Sequence, residues 1–212
     1  MEKWKNIKEY IKSGVKENIL RGDLICADVL VCILGVIGTL SGLFHSLTTE
    51  ILSFVVFGLS IISILFGFFS TKNLNIKKYV RFYAVFSIFS TLIFTIVGYN
   101  FLIIKQNSYP ELTCLIPLVI FAITVVKTNF QIKKNVDVKH INRKMELTAS
   151  AVALGVLCSR VFLRGNASFA NFMELNIGYV LIFLACVFAT NSLNFVKWYY
   201  INQMEKQGII IE

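Results

Sequence analysis

The apolar positions of the chain gather into six long runs separated by short polar gaps. The first run, 24–44, reads LICADVLVCILGVIGTLSGLF. As a helix it is long enough to cross a hydrocarbon core of about 30 Å. The others fall at about 51–70, 82–104, 112–127, 147–163 and 176–196. The fourth is short and contains Pro117, so it kinks there or borrows the flanking Tyr109 and Phe130. Residues 2–21 have a different pattern. Trp4, Ile7, Ile11, Val15 and Ile19 recur at helical spacing, and Lys3, Lys5, Lys8, Lys12 and Lys16 fall largely off that stripe. This predicts a basic amphipathic helix lying flat in the membrane interface against anionic head groups. Its alternative is a helix packed on a partner or on the chain's own loops. Gly22 breaks this helix, and Asp23 is placed to cap the next one.

The pattern predicts an all-α, polytopic integral membrane protein: six transmembrane helices preceded by a basic amphipathic interfacial helix. Its parts are the interfacial helix at 1–22, the transmembrane domain at 23–200 and a cytoplasmic tail at 201–212. No linker rich in Ser or Gly divides the chain, and no internal repeat relates its halves. The first 21 residues are too polar for the apolar core of a cleavable signal, so the first span is expected to stay as an anchor.

Composition agrees. Only 16% of residues are charged and the mean hydropathy is +0.70, whereas soluble domains carry about a quarter charged residues. The net charge of +9 would suggest nucleic acid in a soluble protein. Here the charges sit in the gaps and alternate with them, so nucleic acid is not expected as a partner. Of the 21 Lys and Arg, all but Lys105, Arg160 and Arg164 fall on one side of a six-span topology. Positive charge stays inside, which puts both termini in the cytoplasm of a multi-pass protein of the cell membrane. Lys197-Trp198-Tyr199-Tyr200 closes the last span with an interfacial belt. The five cysteines form no C-x-x-C pair and read as small buried hydrophobes.

Helices in lipid associate through small residues that let backbones approach. Gly38 and Gly42 offer this on the first span, Ser63 and Gly67 on the second, and Ala151, Gly155 and Ser159 on the fifth. They predict packing within the bundle or a homodimer face. The Phe-rich third span has no such stripe and is assigned to the periphery.

Ionisable and amide groups at membrane depth are the candidate sites. Asp28 lies about one and a half turns inside the first span. Asn191, Asn194 and Lys197 reach a similar depth on the sixth, which predicts a polar cluster able to bind a cation, a proton or a head group. On the outer side, Arg160 and Glu174 are placed to pair or to receive an external anion or peptide. The basic loop 127–146 faces anionic lipid or a partner. Asn166-Ala167-Ser168 matches a glycosylation sequon.

The motifs of catalysis are missing. His45 and His140 fall on opposite sides of the membrane, and neither H-E-x-x-H, G-x-S-x-G nor G-x-x-x-x-G-K-[ST] occurs. No catalytic residue, metal or cofactor is therefore expected, and an ATP-driven role needs another subunit. The architecture suggests a transport or channel component, acting as a homo-oligomer or with a hetero-subunit. The alternative is a non-enzymatic membrane interaction protein, such as a toxin or bacteriocin immunity factor or a phage-defence component. The plain interior argues against transport, because few deep polar groups line a path.

Overall fold

The computed structural model describes residues 2–12, 21–40, 42–43, 45–72, 75–104, 110–133 and 169–209. These form α1 (Glu2–Lys12), α2 (Arg21–Leu40), α3 (Leu47–Ser70), α4 (Ile76–Ile104), α5 (Pro110–Lys133), α6 (Phe169–Thr190) and α7 (Leu193–Lys206). No strand occurs among the described residues. Among the described residues five helices are long and apolar enough to cross a membrane: α2, α3, α4, α5 and the stretch Ile177–Lys206 that α6 and α7 share. The expected span at 147–163, with Ala151, Gly155, Ser159 and Arg160, lies outside the described residues.

Local chemistry sets the ends. α3 starts four residues before its apolar run because Ser46 caps it: Ser46 Oγ accepts the Thr49 N–H, and Thr49 Oγ1 accepts the Ser46 N–H. Arg21 caps the other end of α3, donating to the Phe68 carbonyl and to Thr71 Oγ1. α5 runs through Pro117 and includes Phe130, so the short fourth run gains length from its flanks. A turn at Asn191 and Ser192 separates α6 from α7, and Ser192 Oγ donates to the Phe121 carbonyl of α5 at 3.4 Å.

Contacts give the directions. Asp28 meets Ser63 while Thr39 meets Ser53, so α2 and α3 are antiparallel. Thr95 and Tyr99 of α4 meet Cys114 and Glu111 of α5, again antiparallel. Ser192 meets Phe121 and Tyr200 meets Asn129, so the α6–α7 rod runs parallel to α5. We call the end where α2 begins the near end, and the other the far end.

The Phe-rich helix is central, not peripheral. α4 touches α2, α3, α5, α6 and α7. The reason lies in residues that its phenylalanines obscure. Ala84, Ser87, Thr91, Thr95 and Gly98 recur every three or four positions and are buried. Three of these hydroxyls donate to carbonyls of their own helix, Ser87 to Ala84, Thr91 to Ser87 and Thr95 to Thr91, and so enter an apolar contact already satisfied. At the far end Gly98 crosses Gly178 of α6, where an added Cβ on either would lie 3.0–3.4 Å from the other's carbonyl oxygen. The phenylalanines fill the rest: Phe94 stacks on Phe188, and Phe86 meets Phe188 edge to face.

The face of α1 that the sequence directs toward lipid is occupied by protein. Ile7, Tyr10 and Ile11 are buried against Val80, Ile132, Val196, Ile201 and Met204. Val15 and Ile19 lie outside the described residues. The opposite inversion holds for the long helices, whose outer faces expose Leu30, Ile33, Phe54, Phe57, Leu115 and Ile123. That is the pattern of a protein whose solvent is hydrocarbon.

Candidate functional site

Every third or fourth residue of α3 on its buried face is small or carries a hydroxyl: Thr49, Ser53, Ser60, Ser63 and Gly67, with Val56 the one exception. This column runs the length of the helix and faces α2 and α4. Asp28 of α2 abuts it near one end and Asn100 of α4 near the other.

Asp28 is only 2% exposed. Its Oδ1 accepts a hydrogen bond from Ser63 Oγ at 2.7 Å, and Cys32 Sγ lies 3.9 Å from the same oxygen. Cys32 also donates to the Ser60 carbonyl at 3.5 Å. Oδ2 rests against Gly67, where an added Cβ would stand 2.6 Å from it. Gly67 therefore makes room for the carboxyl, and Ser63 orients it.

At the far end Asn100 is fully buried. Its Nδ2 donates to Ser53 Oγ at 3.5 Å, and Ser53 in turn donates to the carbonyls of Thr49 (2.7 Å) and Thr39 (3.2 Å). Gly42 fits beside them, since an added Cβ would lie 3.1 Å from both Asn100 Nδ2 and Ser53 Oγ. Asn100 Oδ1, Ser60 Oγ and Ser90 Oγ are buried and make no hydrogen bond to a described residue. Ser90 stands three residues before Ile93 and seven before Val97, which meet Gly35 and Gly38 of α2, so it lies on the same side of α4.

The proposed Asp28–Asn191–Asn194–Lys197 cluster does not form. Asp28 spends its hydrogen bonds on α3 and on its own helix. Asn194 Nδ2 turns back to the Asn191 carbonyl at 3.1 Å. Lys197 is buried elsewhere, with Nζ 4.8 Å from the centre of the Tyr10 ring. Equal depth did not imply adjacency: α2 packs on α3 and α4 rather than on the α6–α7 rod. Arg160 lies outside the described residues. Glu174 falls within α6, but its side chain lies outside the description, as does any pair between the two.

The glycines act inside the bundle. An added Cβ on Gly38 would lie 2.5 Å from Val97 Cγ1, and one on Gly35 would collide with Ile93. Gly38, Gly42, Ser63 and Gly67 thus serve contacts among α2, α3 and α4. Gly35, which shares the small-residue stripe of the first span, belongs to the same site, and Ser53, Ser60, Cys32 and Asn100 belong to it too but escaped the sequence reading. For Ser53 and Ser60 the signal was present in the four- and three-residue steps from Thr49 to Gly67. Among the described residues no three His, Cys, Asp or Glu side chains gather as metal ligands would. No protein-family model, curated protein or solved structure matches the chain.

Proposed function

We propose that the chain is a non-enzymatic component of a transport or channel system, and that the α2–α3–α4 seam handles a proton or a small cation. The column of hydroxyls between Asp28 and Asn100 carries this reading. It supplies the deep polar groups that the apolar runs concealed, with one ionisable group among them. An intramembrane acid facing the bundle interior rather than lipid is the arrangement of ion and proton pathways. Lacking a phosphate-binding loop, the chain draws its energy from an ion gradient or from a partner subunit.

The same proposal includes six crossings with both ends in the cytoplasm. α5 and the α6–α7 rod are parallel, so the chain between Lys133 and Phe169 has to return from the near end to the far end. The near end also holds most of the Lys and Arg, which supports assigning it to the inside. α1 then lies at the inner surface, with its apolar face on the bundle and exposed Lys12 toward head groups.

Purified protein in liposomes tests the reading. The wild type should pass protons, Na⁺ or K⁺ down an imposed gradient. Asp28→Asn, which keeps the shape and loses the charge, should cut the rate at least about tenfold, the scale of one buried charge-assisted hydrogen bond. A folded wild type that passes none of the three ions would overturn the transport reading and favour the membrane interaction class.

A further inference from the structure

Arg81 on α4 is bracketed by two aromatic rings. Its guanidinium carbon lies 5.7 Å from the ring centre of Phe66 on α3 and 5.7 Å from that of Trp198 on α7. Both are within cation–π range. Aromatic rings hold a guanidinium in place without using its N–H donors as a carboxylate would. Arg81 is exposed, and among the described residues it makes no ion pair and no hydrogen bond. The nearby acid Glu205 is already taken by Lys77, at 2.6 Å.

The surroundings specify a ligand. Lys77 and Lys78 stand four and three residues before Arg81, on the same face of α4 and nearer its polar end. Lys78 Nζ donates to the Lys72 carbonyl, which leaves its charge uncompensated by any acid. Beside Arg81 the surface along α3 is apolar. Ile62 and Phe69 flank Phe66 along α3, and both are exposed, 54% and 78%. A positive, donor-rich head above an apolar wall matches one chemistry: a phosphate attached to acyl chains.

We propose that Arg81, held between Phe66 and Trp198, binds the phosphate of an anionic phospholipid, with Lys78 as the second cation and α3 carrying the acyl chains. A planar guanidinium grips phosphate through two parallel N–H bonds, which an ammonium does not reproduce. The site lies outside the Asp28 seam and stands whether or not the chain transports an ion.

The full chain in neutral detergent provides the test. The protein has two tryptophans, so Trp4→Phe makes Trp198 the sole reporter. Phosphatidylglycerol should change Trp198 emission saturably. Arg81→Lys and Arg81→Gln should each weaken that response roughly tenfold or more, the loss expected for a charge-assisted pair. If Arg81→Gln does not fold, Arg81→Lys and Lys78→Gln carry the test, and both should weaken binding while leaving the far-UV spectrum intact. A dioleoylglycerol control has chains without phosphate, and an equal response to it would overturn the proposal. Full competition by millimolar inorganic phosphate would also overturn it, by assigning the site to the free ion. An undiminished response in Arg81→Lys would remove the guanidinium from the site.

Discussion

Replacing Gly67 by alanine tests the Asp28 geometry with a single methyl group. The new carbon would stand 2.6 Å from Asp28 Oδ2 and 3.6 Å from both Asp28 Cγ and Phe82 Cε2. Carbon and oxygen tolerate approach to about 3.3 Å, so the carboxyl has to move by roughly 0.7 Å. It cannot do so freely, because Ser63 holds Oδ1 at 2.7 Å. Losing a hydrogen bond to an acid costs about 1.5–3 kcal/mol. Alanine returns about 1 kcal/mol through helix propensity. The net expectation is a destabilisation of about 0.5–2 kcal/mol. In an Asp28→Ala background the obstacle is gone, and Gly67→Ala should be neutral or stabilise by up to about 1 kcal/mol. The coupling between the two positions is then about 2 kcal/mol. Reversible unfolding of the four proteins in mixed micelles, titrated with dodecyl sulfate and followed by helical circular dichroism, measures it. A coupling under about 0.5 kcal/mol, the scatter of independent sites, would refute the contact.

Two further outcomes are expected. Burial raises the Tyr10 phenol above its usual value, so the folded state keeps a proton that the unfolded state releases above about pH 10. Docking of α1 should be fully stable below that pH and weaken as pH rises past it. Trp4 emission in a Trp198→Phe protein reports this, and Tyr10→Phe should remove the dependence; identical alkaline profiles would refute it. For topology, single cysteines at Ser46, Asn107 and Ser168 should react with an impermeant maleimide from outside cells, whereas those at Ser13, Asn73 and Asn135 should not. External labelling at Asn135 would refute the six-span arrangement.

The apolar runs made the long helices legible, because a span must satisfy its backbone internally and present hydrocarbon to hydrocarbon. Which helix sits at the centre was not legible from hydropathy, as α4 demonstrates. Its phenylalanines dominate any hydropathy average, while Ala84, Ser87, Thr91, Thr95 and Gly98 decide its packing. Asp28 failed in another way. Matching depth along the membrane normal selects every helix that crosses, whereas direction around the helix axis selects one neighbour. Consecutive helices are usually adjacent, and the Ser63–Gly67 pair already marked the second span as the partner. α1 was read as amphipathic, but an apolar stripe does not reveal whether lipid or Val196 and Met204 will cover it.

The hydroxyl column explains how a chain this apolar can carry a polar seam. A serine or threonine in a helix can donate to a carbonyl three or four residues earlier, and this removes its cost in lipid. Ser53 does so with Thr49, and Thr39 with the Val36 carbonyl at 2.7 Å. Such hydroxyls are spent as donors, yet their lone pairs remain able to accept. Ser63 on α3 donates across the interface to Asp28 instead of back along its own helix. Among the described residues, Ser60 Oγ, Ser90 Oγ and Asn100 Oδ1 are spent neither way. In hydrocarbon an uncommitted buried polar group costs about 1–3 kcal/mol, so three of them along one seam are an expense that packing alone does not require. Alanine at Ser60 or Ser90 would fill the same space more cheaply. Under the transport reading proposed above, their hydroxyls would serve a proton or small cation passing between Asp28 and Asn100.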